Sequence, residues 1–138
     1  MDEQKIRLRV VTVTTDAEGE RRETKTAHRG ILRENADGVE LSYEQVNDGV
    51  RAKILLVQTE GCIQMRRTGE MTGTLRFEPG KRTPGVYTTI YGEIPVAVYT
   101  RETEVVRTEN GGEMKLDYDV FVGGERTGAS RMTISWRL

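Results

Sequence analysis

The chain has 138 residues, 36% of them hydrophobic and 31% charged, with a formal net charge of −1. That length suits one domain with its own core, spanning residues 1–138, and the near balance of acids and bases, without a basic stripe, argues against nucleic acid as a partner. One cysteine and one histidine exclude an internal disulfide and a Cys/His-built zinc site, so neither metal nor cofactor is expected.

The first residues, Met-Asp-Glu-Gln-Lys, are charged, and the longest aliphatic run is Ile54-Leu55-Leu56-Val57. With no apolar run long enough for a signal peptide or a membrane span, the expectation is a soluble, cytoplasmic protein that does not engage a membrane. Along the chain, turn residues recur about every ten positions. They fall at Asp16 to Gly19, Asp37-Gly38, Asn47-Asp48-Gly49, Glu60-Gly61, Thr68-Gly69, Pro79-Gly80, Pro84-Gly85, Gly92, Asn110-Gly111-Gly112 and Gly123-Gly124.

Between these turns apolar residues alternate, the period of a strand with one dry face. After the first turn, residues 20 to 34 form a long strand, polar from Thr24 to Leu32, in which His28 is expected to face solvent. Asp16, Glu18, Glu20 and Glu23, interleaved with Arg21 and Arg22, give that hairpin a solvated surface. Val39, Leu41 and Tyr43 make the next dry face, followed by Val50, Ala52, Ile54 and Leu56.

Ile63, Met65 and Arg67 then share one parity, which puts a guanidinium at or just inside the rim of a core, while Arg66 faces outward. Cys62, at the start of this strand, is expected to be an unreactive small residue near a turn. Met71, Leu75 and Phe77 follow, with Gly73 within their face marking a barrel corner. In the next strand Tyr87, Thr89 and Tyr91 oppose Val86, Thr88 and Ile90, and periodicity alone leaves open which set points inward.

Residues 93 to 108 form a second long strand carrying Ile94, Val96 and Val98, with Pro95 near its start at an edge or bulge. Met114, Leu116, Tyr118, Val120 and Val122 form one face of the closing hairpin. Met132, Ile134, Trp136 and Leu138 form the other, across the Gly-Gly turn. Consecutive hairpins favour an all-β, antiparallel up-and-down β-barrel of 8–10 strands over a sandwich with Greek-key crossings.

The set Arg67-Thr-Gly69, Phe77, Gly80, Tyr87, Gly92-Glu93 and Thr100 resembles the YwiB-like family of small bacterial proteins of unknown function. Gly30 before an apolar strand, Leu41-Ser42-Tyr43, Tyr118-Asp-Val-Phe-Val-Gly123 and Met132-Thr-Ile134 extend the resemblance over nearly the whole chain. It implies a lipocalin-like barrel of the calycin type, and no established activity.

Arg67 is the leading candidate for a site. A buried guanidinium must be paired, so either it closes one end of the barrel by packing on Trp136, or it meets the anionic group of a ligand. Tyr87 and Tyr118 are candidate hydroxyl donors to the same ligand. No Gly-x-Ser-x-Gly, His-Glu-x-x-His or phosphate-binding glycine loop occurs, so no catalytic residues are expected. The expected activity is non-enzymatic binding of a small apolar or amphipathic ligand by a monomer or homodimer. A filled barrel acting as a structural or protein-interaction module is the alternative.

Overall fold

The computed structural model describes residues 3–47 and 49–138. Its ten strands are β1 (Glu3–Asp16), β2 (Arg21–Asn35), β3 (Gly38–Asn47), β4 (Val50–Thr59), β5 (Cys62–Gly69), β6 (Thr72–Phe77), β7 (Arg82–Thr89), β8 (Gly92–Thr108), β9 (Gly111–Val122) and β10 (Glu125–Arg137). Every strand pairs antiparallel with its sequence neighbours, and β1 pairs with β10 to close the barrel. Among the described residues no helix is long and apolar enough to cross a membrane.

The two long strands and the closing hairpin lie where turn spacing placed them. Tight turns make this possible: Glu60 and Gly61 adopt φ of 46° and 77°, and Gly123 and Gly124 adopt 60° and 88°. Paired positive φ values are those of the hairpin turn whose twist matches the flanking strands. In the first hairpin Asp16 does this work with its side chain, its Oδ1 accepting from the backbone N–H groups of Glu18 and Glu20 at 3.0 and 2.9 Å. Of the turn expected at Asn47-Asp48-Gly49, Asp48 lies outside the described residues, as do Met1 and Asp2.

Up-and-down order gives the barrel two ends. The lower end carries the β2–β3, β4–β5, β6–β7 and β8–β9 turns, and the upper end carries the other five. Ile6, Leu8, Leu32, Leu41, Leu56, Ile63, Phe77, Met114, Leu116, Ile134 and Trp136 fill the lower half and middle of the interior, all of them 4% exposed or less. Higher up, the inward positions turn polar: Thr12, Thr14, Thr26, His28, Gln45, Arg67 and Tyr87 are half-buried. The interior therefore has an apolar floor and a mixed upper half, in which these polar side chains lie among Ala52, Val96, Val98 and Val120.

Closure is incomplete in two places. β2 pairs with β1 along Arg21–Arg33, but its ladder with β3 stops at Gly30 opposite Tyr43, so the wall is split above that point. β6 and β7 share two rungs, Thr72 with Thr88 and Gly73 with Tyr87. Below them the Thr83 hydroxyl donates to the Arg76 carbonyl in place of further rungs, beside Pro84, which has no N–H to give.

One sequence expectation needs correction. His28 is not an exposed strand residue: it shares the inward parity of Gly30 and Leu32 and is half-buried. Gly73 leaves a gap for a ring, because a Cβ built there would lie 2.0 Å from Cδ1 of Tyr87. Pro95 pairs with Val86 of β7, while on its other side the ladder with β9 begins only at Val96, so its missing donor falls at an open edge as expected. The bulge in β8 falls between Thr100 and Glu102.

Candidate functional site

Arg67 stands on β5 between Ile54 of β4 and Gly73 of β6, with its side chain on the interior face. Gly73 offers no side chain, and the ring of Tyr87 takes that space. This settles the parity left open by the sequence, since Tyr87 points inward and Tyr91, at the hairpin tip, is 94% exposed. Arg66 is exposed on the outer face. Cys62 is half-buried and free at the start of β5.

Tyr43 on β3, opposite Ile54, completes the other flank. Its ring lies 4.7 Å from that of His28, centroid to centroid. The His28 Nε2 is 2.9 Å from the Thr26 hydroxyl. Tyr118 on β9 packs its ring 4.7 Å from Phe77, at the boundary with the apolar floor, and its hydroxyl hydrogen-bonds with Ser130. Tyr43, Tyr87 and Tyr118 thus converge on the upper interior with Arg67.

Their protonation follows from this placement. Burial pushes the Tyr43 phenol up to about 12, and the positive charge of Arg67 opposes the shift. Tyr87 is raised for the same cause with the same opposition. Tyr118 is pushed up to about 12 by burial first, against the Ser130 hydrogen bond, with Tyr87 and Tyr43 adding to the rise. At neutral pH all three phenols keep their protons, so each can donate a hydrogen bond to an anion.

No carboxylate among the described residues pairs with Arg67. The ion pairs of the structure lie on the outer surface, as in Arg33 with Glu3 and Glu40, or Arg101 with Asp117 and Asp119. The Arg67 Nε is buried and has no hydrogen-bond partner.

Trp136, the other residue expected at barrel closure, is elsewhere. It pairs with Leu8 and Gly112 near the lower end of β10, whereas Arg67 nears the upper end of β5. A Cβ built on Gly112 would lie 2.3 Å from the indole Cζ2, so the ring covers that glycine, and its Nε1 is buried without a partner. The arginine that lies over a ring is Arg82, 4.0 Å from the centroid of Phe121.

Sequence reasoning passed over His28 and Ser130. Their signal was parity: His28 is two residues from Gly30 and four from Leu32, and Ser130 is two from Met132. Among the described residues no group of three or more His, Cys, Asp or Glu side chains is placed to hold a metal ion.

Comparison with known proteins agrees with this architecture. The chain is 29% identical over 98 residues to the uncharacterised beta-barrel protein YwiB of Bacillus subtilis (strain 168), covering 71% of this chain and 69% of that protein. The crystal structure of the YwiB protein from Bacillus subtilis superposes with a TM-score of 0.88 at 26% identity, over 98% of this chain and 92% of that one. A model of the domain of unknown function DUF1934 matches residues 8–134, and the chain belongs to that family.

Proposed function

We propose that this protein is a non-enzymatic, cytoplasmic, lipocalin-like binding protein that takes a compact amphipathic anion into the upper half of its barrel, with the charged head on Arg67. The observation that carries this reading is the state of that guanidinium: no carboxylate pairs with it, and its Nε is buried without a partner. Arg67 is half-buried, so its charge keeps part of its hydration, and an arriving carboxylate or phosphate oxygen supplies the partner that the buried Nε lacks.

The surroundings favour an anion over any other occupant. Tyr43, Tyr87 and Tyr118 remain protonated, so they supply donors around a cation and no competing negative charge. The filled floor limits the apolar part of the ligand. With Phe77, Leu116 and Ile134 wholly buried below Tyr118, a short or ring-shaped apolar group fits this reading and a long acyl chain does not.

Binding is favoured over catalysis because the His28 ring nitrogen meets a threonine hydroxyl and its face meets a tyrosine. A general base is normally oriented by a carboxylate beside a nucleophile. The same filled floor favours the runner-up, a structural module whose contacts are made on the outer wall.

Calorimetric titration with hexanoate, benzoate and inorganic phosphate, against hexanol and benzyl alcohol, tests the proposal. Saturable binding of an anion, weaker by about tenfold or more for the uncharged analogue, is expected. Absence of saturable binding by every anion would overturn it.

A further inference from the structure

The upper part of β2 is an edge at one of the two places where the barrel wall is incompletely paired. From Arg21 to Arg29 it pairs with β1 on one side, while its ladder with β3 begins only at Gly30. Edges of this kind present backbone N–H and C=O groups to any strand that approaches. We propose that the Arg21–Arg29 edge is a docking site for an extended acidic peptide, which adds to β2 as a strand in the split between β2 and β3. The site is on the wall, not at Arg67, and does not depend on ligand binding there.

Charge selects the occupant. The segment carries four cations, Arg21, Arg22, Lys25 and Arg29, against one carboxylate, Glu23, and all five residues are exposed. A second copy of the same edge is disfavoured. Antiparallel self-pairing about Lys25 would set lysine against lysine and Arg21 against Arg29, and like charges directly opposed destabilise a strand pair. An acidic strand reverses each of these terms.

The lower end of the edge opens onto a groove of about 550 Å³ on the outer wall, where the cations Arg29, Arg33, Lys53 and Arg66 exceed the carboxylates Glu40 and Glu44 around Ile31 and Leu55. Ile31 is 37% exposed there. On an added strand the acidic side chains would face outward and meet Lys25 and Arg29, which share the outer face with Ile31, while the alternate apolar side chains would turn inward beside Thr26 and His28.

Fluorescence anisotropy with a labelled peptide alternating glutamate and valine tests this, with two controls: its lysine counterpart, and a version in which prolines replace the valines. Saturable binding of the glutamate–valine peptide alone is expected, with slowed amide hydrogen exchange across residues 21–29. Lys25→Glu combined with Arg29→Glu, both exposed, should weaken it by about tenfold, the sum of two surface charge contacts. Equal binding by the proline peptide would mean charge adsorption without strand addition and would overturn the proposal. So would absence of saturable binding, or protection of residues 21–29 that rises with protein concentration when no peptide is present, which would assign the edge to a second copy.

Discussion

The ring of Tyr87 lies across Gly73, so close that a Cβ at position 73 would stand 2.0 Å from Cδ1 and 2.5 Å from Cε1. Cross-strand neighbours on β6 and β7, the two residues form one of the two rungs that join those strands. Gly73→Ala therefore forces the ring aside at the weakest seam of the barrel. The expected cost is about 1–3 kcal/mol in a urea unfolding titration. Removing the ring with Tyr87→Ala should recover part of that cost and not all of it, because the Val86 carbonyl oxygen also lies 2.7 Å from the added Cβ.

Stability should fall in alkaline solution through the buried phenols. Tyr43 and Tyr118 are raised from 10.0 to about 12 in the folded chain, mainly by burial. Between those two values the unfolded chain has released protons that the folded chain still holds, so rising pH favours unfolding. The contribution is complete below pH 10 and lost as pH passes 12, roughly 2–3 kcal/mol for each phenol by linkage. Urea unfolding at stepped pH measures the slope. Tyr43→Phe and Tyr118→Phe should each flatten it, and a slope unchanged in both variants would contradict the buried placement.

Thr100 is wholly buried, and its hydroxyl has no hydrogen-bond partner. Its backbone has a separate duty: the carbonyl accepts from Gly80 at 2.8 Å and the N–H donates to Lys81 at 3.2 Å, tying β8 to the β6–β7 turn. Thr100→Val keeps the backbone and the shape and removes only the orphaned hydroxyl. A gain of about 1 kcal/mol in unfolding free energy is expected. A loss would mean that the hydroxyl serves a partner inside the barrel.

What the sequence made legible was whatever strict alternation carries. Val39, Leu41 and Tyr43, or Met114, Leu116 and Tyr118, keep one parity from end to end, and all six are buried. Parity misleads where a bulge intervenes. Val96, Val98 and Thr100 point inward, Arg101 is the extra residue, and Thr103 and Val105 take over the inward face, so no single period describes β8. Nor does parity mark the height of a residue in the barrel. Arg67 and Trp136 are both inward-facing, yet strand direction puts them near opposite ends, and no spacing along the chain encodes that separation. His28 was obscured by composition: a histidine among threonines and arginines looks solvated until the Leu8–His28 register turns it inward.

The decisive substitution is Arg67→Met, which retains an unbranched side chain and removes the charge. If the guanidinium served the fold, its loss would leave buried partners unsatisfied and cost stability. Its Nε has no partner, no carboxylate among the described residues meets it, and the adjacent phenols are neutral, so little is lost when it goes. The ligand-free variant should unfold at equal or higher urea concentration, by roughly 1 kcal/mol, as when buried charges give way to apolar groups. In the same variant the affinity for anions should fall by about a hundredfold, the worth of a lost charge-assisted pair. A destabilised variant that still bound anions would assign Arg67 to the fold and move the binding site elsewhere.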